Sequence, residues 1–471
     1  TQTKLFCSCS TRFGAPPNTQ VCPVCLGLPG ALPVMNERAI DLAIRAGLAI
    51  DCSIPPMTKW DRKQYFYPDL PKGYQISQFD LPICADGFLD ITDEADPEKT
   101  RRIGIIRAHL EEDAGKSMHD EATGRSDSRI DLNRCGTPLL EIVSHPDLRS
   151  ASEAKEYLDE LKLRMTHLGV SDCEMQEGSL RVDANVNLHI DVDGKKVATP
   201  IAEIKNMNSF RAVEHAIEHE VDRQYDAWEE TGKTIEEEAK TTRGWDDAKG
   251  KTFLQREKEE SADYRYFPDP DLLPIRIPQG RVDEAKANLG ELPAEICQRL
   301  QTQYGIKLYD ANVIVKQGRE LIEYFEVAAT KSGDGKRTSS WIQQDVMRTL
   351  NETQANIEEF AVNAEQLGDL LQRVSRGDFD NARARDVFAH LLRTNDSVEE
   401  AIKSLGIESV DSNEIEVLCR ELLDANPQVI DDVKSGKQQA VGALIGQAKK
   451  KNANANPKQV RETLLQLIEQ S

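Results

Sequence analysis

Ser179-Leu-Arg-Val-Asp-Ala-Asn-Val-Asn-Leu-His-Ile190 sets Leu180, Val182, Ala184, Val186, Leu188 and Ile190 at every second position, with Ser179, Arg181, Asp183, Asn185, Asn187 and His189 between them. A period of two marks a strand with one face in a core and the other polar. A second strand is expected over residues 201–205. It sets Glu203 and Lys205 opposite Ala202 and Ile204 and ends in Asn206-Met-Asn208. If the two strands are neighbours, Arg181, Asp183, Asn185, Glu203 and Lys205 share one sheet surface. A merely solvated face is the ordinary alternative, usually filled with Thr, Lys, Glu and Ser; this face mixes acid, base and amide of limited reach.

Outward from this sheet, three helices show apolar residues at helical spacing. Asn36 is placed to cap a helix bearing Ile40, Ala43, Ile44 and Leu48, and Ser150 with Glu153 spells a capping box ahead of Tyr157, Leu158, Leu161 and Met165. A third helix follows Ser209, with Val213, Ile217, Val221, Tyr225 and Trp228 at helical spacing and its aromatics given a core role, and residues 229–251 lack periodicity. Up to about Pro278 the chain mixes short strands, Gly/Pro turns and helices, whereas beyond Pro293 its pattern is almost wholly helical. The expected fold class is α+β. The expected domains are an α+β domain over 1–285, an all-α domain over 286–400 and a small helical tail domain over 401–471.

The 471 residues are 30% charged and carry a formal net charge of −22. No run approaches the ~18 apolar residues of a membrane span and no charged-then-apolar leader opens the sequence, so the chain reads as soluble and cytosolic. Its charge has the wrong sign for coating nucleic acid unspecifically, because phosphate neutralisation takes Lys and Arg. Residues 433–471 are the exception: Lys434, Lys437, Lys449, Lys450, Lys451, Lys458 and Arg461 face only Glu462 and Glu469. There Asn452-Ala-Asn-Ala-Asn-Pro457 separates an Ala/Gly-rich helix at 441–448 from a last helix bearing Val460, Leu464, Leu467 and Ile468. The opening Thr1, in place of Met, leads us to expect that the natural chain begins further upstream.

Ten cysteines in a chain of this length argue against a disulfide framework, which belongs to short secreted domains. Cys7-Ser-Cys9 and Cys22-Pro-Val-Cys25 offer four thiolates in two close pairs, the donor number and softness of a tetrahedral zinc site. Four reduced core cysteines are the alternative, but the intervening loop is crowded with Pro, Gly and Asn and poor in apolar neighbours. With sulfur at all four positions the zinc would be structural.

Arg107-Ala-His109-Leu-Glu111-Glu112-Asp113-Ala-Gly-Lys116-Ser117 adds three adjacent carboxylates and a lysine, hard oxygen ligands for Mg²⁺ beside a charge suited to phosphate. Gly115-Lys116-Ser117 is not a phosphate-binding P-loop, since the glycine required five positions earlier is Leu110. Lys72, and the pair Arg134 and Glu141 around Gly136-Thr-Pro138, lie at tight turns for which structural and functional roles are equally open. Thr338-Ser-Ser340 precedes Trp341 and reads as a helix start, and no amidase-type Ser-Ser-Lys signature occurs.

Tyr65-Phe-Tyr-Pro-Asp69, Lys72-Gly-Tyr-Gln-Ile-Ser-Gln78, His109-Leu-Glu-Glu-Asp-Ala-Gly-Lys116, Asp131-Leu-Asn-Arg134, Gly136-Thr-Pro-Leu-Leu-Glu-Ile-Val143, Glu177-Gly-Ser-Leu-Arg-Val-Asp-Ala-Asn185, Glu203-Ile-Lys-Asn206 and Asp263-Tyr-Arg-Tyr-Phe-Pro268 together resemble the successive signatures of the B subunits of aspartyl/glutamyl-tRNA amidotransferases. The resemblance implies a cradle-like α+β domain related to glutamine synthetase, then a helical domain and a mobile tail that grips tRNA. It implies a ligase that uses ATP and Mg²⁺ to phosphorylate the side-chain carboxylate of Glu-tRNA(Gln) or Asp-tRNA(Asn), and then amidates it with ammonia. Glu111, Glu112 and Glu203 would hold Mg²⁺, with the order of Glu111 and Glu112 open. Arg181, Lys205 and Lys116 would meet phosphate or the acyl group, Asp183, Asn185, Asn206 and Lys72 the nucleotide side, and Lys434, Lys437, Lys449, Lys450 and Lys451 the tRNA. A glutaminase partner and a small third chain would join it in a bacterial cytoplasmic heterotrimer, with Lys72 in the ammonia channel. In the family a short strand bearing an acid and a histidine precedes the position of Thr1. The rival readings are a non-catalytic tRNA adaptor and an enzyme activating a free small carboxylate; the basic helical tail weighs against the second.

Overall fold

The computed structural model describes residues 1–92, 99–119, 128–257, 264–407, 412–435, 437–452 and 454–470. The chain forms two compact units, Thr1–Leu292 and Pro293–Ser471. Strands and helices share the first, and the described elements of the second are helical, an α+β protein as expected.

The organising strand of the first unit is Thr100–Glu112. It pairs antiparallel with Cys84–Thr92 along its first part, with Pro138–Ser144 along its second, and with Tyr74–Ser77 at Glu111. Asp61–Gln64 and Phe267–Pro268 extend this sheet beyond Tyr74–Ser77. Alternate residues of a strand face opposite sides, and residues opposite each other on paired strands share a side. His109 and Glu111 therefore lie on one face with Glu141, which stands directly across from His109. Ala108, Leu110 and Glu112 belong to the other face, where Ala108 and Leu110 join Ile103, Ile105, Cys84 and Leu89 in the core.

Helix Glu37–Ala49 packs into that core through Ile40, Ala43 and Ile44, and Asn36 caps it by accepting from the Arg38 N–H, as the sequence predicts. Helix Ala151–His167 buries Tyr157, Leu158, Leu161 and Met165, with Ser150 accepting from the Glu153 N–H. The expected reciprocal bond is displaced by one residue, because Glu153 takes the N–H of Arg149 instead.

The second sheet runs Lys251–Glu257, Thr241–Asp246, Ala202–Lys205, Ala184–Val186. The two strands proposed as neighbours do pair, with Glu203 opposite Asn185. The twelve-residue alternation is not one strand, however. Beyond Val186 the chain leaves this sheet for a separate hairpin, His189–Val192 with Lys195–Ala198, turning at Asp193 and Gly194, both at positive φ. Thr241–Asp246, inside the stretch without periodicity, lies parallel beside Ala202–Lys205.

Helix Phe210–Thr231, capped by Ser209, buries Ala212, Val213, Ala216, Glu220 and Gln224. The core role expected of Tyr225 is corrected: it is 47% exposed. The late part of the helix is held by polar bonds instead, Gln224 donating to the Val186 carbonyl at 2.9 Å and accepting from the Thr199 hydroxyl at 2.7 Å.

In the second unit Thr338–Ser340 do not begin a helix. Asp334 caps Gly335–Trp341, so these residues lie inside it. The chain then passes through a π-turn, Ile342–Val346. At the C-terminal end, Val441–Lys451 and Pro457–Gln470 flank the anticipated Asn-rich turn. With Ser412–Ala425 they bury Ile415, Cys419, Leu422, Leu444, Val460 and Leu464 in a core of their own.

Candidate functional site

Two groups of ligand atoms converge in the first unit. The Sγ atoms of Cys7, Cys9, Cys22 and Cys25 all lie within 4.8 Å of one another. Those of Cys22 and Cys25 are 3.9 Å apart; a tetrahedral zinc with Zn–S bonds of about 2.3 Å would separate its sulfurs by roughly 3.8 Å. The donor set thus fits a structural metal of zinc type. Lys4 is fully buried beside it, its Nζ 3.6 Å from Cys25 Sγ. The Cys25 thiol is pulled down to about 4, chiefly by its bond with Cys7 and with help from the Lys4 charge, while burial and Cys22 raise Cys9 to about 11.

The second group is His109, Glu111 and Glu141, again within 4.8 Å of one another. His109 Nε2 stands 3.7 Å from Glu111 and 3.6 Å from Glu141, beyond hydrogen-bond distance and suited to ligands around a shared cation. His109 Nδ1 is buried and makes no hydrogen bond among the described residues. Burial alone would raise the Glu111 carboxyl, but His109, Lys63 and Gln75 outweigh it and hold the group below the ordinary value. An ionised, buried carboxylate beside an imidazole and a second, half-exposed carboxylate fits a divalent cation with a side open to ligand.

Aromatic rings stand around this group. Phe79 stacks on Tyr266 at 3.9 Å, Tyr264 lies edge-on to both Tyr65 and Tyr266, and Lys63 sits over Tyr65 and Tyr264. Burial and the Glu111 charge push Tyr266 up to about 12 and raise Tyr65 further. Neither His109 nor Glu141 is among the ligands expected from the sequence, although the i, i+2 spacing of His109 and Glu111 was visible there. The pairing that brings Glu141 alongside was not.

The other expected site residues are placed as follows. Glu112, on the opposite face from Glu111, is bonded to Lys72 and accepts from the Ile76 N–H at 3.2 Å. Arg181 reaches Asp113 at 2.8 Å, with Arg134 also on Asp113 at 3.3 Å. Burial of Asp113 outweighs both arginines and leaves its carboxyl raised. On the second sheet Glu203 lies 3.6 Å from both Lys205 and Lys240 and accepts from the Thr242 hydroxyl, and Lys205 is bonded to Asp183. Asn185 faces outward opposite Glu203, and Asn206 follows in the left-handed conformation. Lys116 is exposed on a short strand opposite Asp131. Neither Glu112 nor Glu203 joins the ligand group of Glu111 among the described residues. Asp263 lies outside the described residues.

In the second unit Lys449 pairs with Asp380, Lys451 with Glu421 at 3.0 Å and Lys437 with Asp432 at 3.1 Å, while Lys434 and Lys450 occupy the last turns of their helices.

The first unit thus carries a sulfur cluster on its opening loop and a His/Glu cluster on its sheet, and the described elements of the second unit are helical. Residues 1–283 match the GatB/GatE catalytic domain, and residues 323–468 the GatB domain. The chain belongs to the family of aspartyl/glutamyl-tRNA(Asn/Gln) amidotransferase B subunits. The protein of that name from Rhodopirellula baltica is 70% identical over 468 residues, covering 99% of this chain and 94% of the relative. The protein of that name from Chlorobium limicola is 46% identical, covering 98% and 95%. That from Caldanaerobacter subterraneus is 44% identical, covering 98% and 95%. No helix among the described residues is long and apolar enough to cross a membrane.

Proposed function

We propose that this chain is the component that activates the side-chain carboxylate of Glu-tRNA(Gln), Asp-tRNA(Asn) or both. In the first step a carboxylate oxygen attacks the γ-phosphorus of ATP and ADP leaves. In the second, ammonia attacks the acyl carbon, phosphate leaves and a proton is lost, giving the amide. The observation that carries this reading is the buried, ionised Glu111 held with His109 and Glu141.

A bound Mg²⁺ would neutralise charge on the phosphates, with Glu111 and Glu141 as its oxygen donors and His109 as a third. The tyrosine rings beside Glu111 line part of the site, where shielding from water would favour aminolysis of an acyl phosphate over its hydrolysis. Arg181, braced by Asp113, and Lys205, braced by Asp183 and Glu203, are fixed cations for phosphate and acyl oxygens, and Lys116 is a third. Asp183, Asn185 and Asn206 belong to the nucleotide side. Glu112 serves in this reading as the counter-ion of Lys72, and Glu203 as that of Lys205 and Lys240. The cradle comparison with glutamine synthetase, the zinc, ammonia supplied by a glutaminase partner, a small third chain completing a heterotrimer, tRNA contact through Lys434, Lys437, Lys449, Lys450 and Lys451, and a cytoplasmic setting complete the proposal.

The test supplies the full-length chain, in complex with its partner chains, with Glu-tRNA(Gln), γ-labelled ATP and Mg²⁺ but no ammonia source. Label trapped on the tRNA as an acyl phosphate supports the reading. Absence of label, and of ATP turnover after glutamine is added, favours a non-catalytic adaptor.

A further inference from the structure

The turn that closes the sulfur cluster also touches Lys72, the partner of Glu112 at the end of the Thr100–Glu112 strand. Cys22–Leu28 folds tightly, with Leu26 N–H donating to the Cys22 carbonyl at 3.0 Å, Gly27 N–H to Val24 at 3.0 Å and Leu28 N–H to Pro23 at 2.9 Å. Gly27 has φ +67°, and a methyl group added there would lie 2.5 Å from Lys72 Cγ and 3.1 Å from Lys72 Cα. This is a close approach that only glycine permits, on both conformational and steric grounds. Lys72 is itself buried, with 7% of its side chain exposed, and its ammonium is bonded to Glu112 at 4% exposure. Glu112 is the neighbour of Glu111, whose position on the other face depends on the same strand end.

A second bridge runs beneath. Gly136, at φ +82°, has Cys25 Cβ, Lys4 Cδ and Glu112 Oε1 at 3.5, 3.6 and 3.7 Å from the place a methyl would take. The Gly136 carbonyl accepts from the Leu5 N–H at 2.9 Å, and its own N–H donates to Asp113 at 2.9 Å. Cys135 donates its Sγ–H to the Cys25 carbonyl at 3.4 Å. The cluster and the end of the Thr100–Glu112 strand are thus joined through single residues: tightly at Gly27, and at ordinary contact distance around Gly136.

We propose that the cysteine loop, beyond stapling the chain, seats Lys72 through Gly27 and so positions the Lys72–Glu112 pair. Gly27 is a positioning residue, and metal binding is coupled to the placement of Lys72. The inference rests on the reading of the four cysteines as a metal site, which the metal content of the protein tests separately. A buried ion pair has a large desolvation cost and holds only while its geometry is enforced. Release of the loop removes one wall of the lysine's slot and lets the ammonium reach water.

The probe is acetylation of lysines by a water-soluble N-hydroxysuccinimide ester, read peptide by peptide by mass spectrometry on the full chain. Zinc content is measured in parallel, and Lys59, paired with Asp61 and Asp80, serves as the internal standard. In the zinc-loaded protein Lys72 should be labelled slowly. After chelation its labelling should rise about tenfold relative to Lys59. Unchanged Lys72 labelling in metal-free protein whose Lys59 rate is also unchanged would overturn the proposal. If chelation unfolds the unit, so that both rates rise, Gly27→Ala decides, because it keeps all four cysteines. Full zinc content with Lys72 exposed supports the coupling, whereas full zinc content with Lys72 still protected overturns it. A protein without zinc before chelation would remove the metal reading itself and the proposal with it.

Discussion

The two donor clusters of the first unit differ in every respect that separates a structural metal site from a reactive one. The cysteine group is made of four soft thiolates on a turn-rich loop and leaves no coordination position for a substrate. The His109, Glu111 and Glu141 group is built on two paired strands from harder donors, with Glu141 half-exposed and tyrosines around it. A loop can be gathered by a metal; strands hold their side chains in register before any ligand arrives, which suits chemistry that demands fixed geometry.

The sharpest way to break that contrast is Glu111→Gln. It should reduce acyl-phosphate formation about a thousandfold, the scale of losing a charged group that acts on a developing transition state, and leave zinc content and thermal midpoint close to wild type. A variant that lost both together would place the two clusters in one structural unit.

Cys22→Ser attacks the other side. It should abolish bound zinc and lower stability by about 3 kcal/mol, the range for loss of a named core feature, as read by denaturant unfolding, whereas a protein equally stable without metal would reduce the cluster to buried thiols.

A third test uses Glu220, fully buried on helix Phe210–Thr231 beside Arg223, Arg243 and Thr252. Burial opposes its ionisation, but Arg223, Gln224 and Thr252 outweigh this and lower its pKa from the ordinary 4.5. The folded value lies below the unfolded one, so the group stabilises above the unfolded value and loses that contribution as pH falls through the folded one. Glu220→Gln should cost about 2 kcal/mol at pH 7 and flatten the decline of the thermal midpoint below pH 4.5. An unchanged acid profile would contradict the assignment.

The smallest effect is expected in the tail. Substituting Lys449, Lys450 and Lys451 together by Ala should weaken tRNA binding severalfold and reduce the salt slope of log affinity by less than the ~2 to 3 expected for three free phosphate contacts. Asp380 and Glu421 already hold two of these lysines. A loss of the full slope would mean those pairs open on binding.

The sequence made some of this legible and left the rest hidden for identifiable reasons. Cys7, Cys9, Cys22 and Cys25 came together because chelating pairs are local. The pairing of Ala184–Val186 with Ala202–Lys205, which alternation raises only as a condition, is present even though a whole hairpin lies between the two strands. The break at Asn187 did not show, since a strand that changes sheets keeps its period of two. Thr241–Asp246 was missed because Thr-Thr-Arg-Gly-Trp-Asp has too few apolar residues to show a face, and its place is fixed by ladders on both sides. Tyr225 lies outside the core because helical spacing defines a stripe but not which stripe meets the sheet. The Glu141 partnership depended on register that brings residues 32 positions apart, His109 and Glu141, opposite each other, which no local pattern encodes.

The most direct test of the central claim is a side-by-side measurement on Glu111→Gln and wild-type chains in the assembled complex: zinc per chain, and γ-label trapped on Glu-tRNA(Gln) with ammonia withheld. The account predicts one zinc in each, with label on the wild-type tRNA alone. Equal label in both would remove Glu111 from the chemistry and contradict the assignment of the strand-borne cluster as the reacting centre.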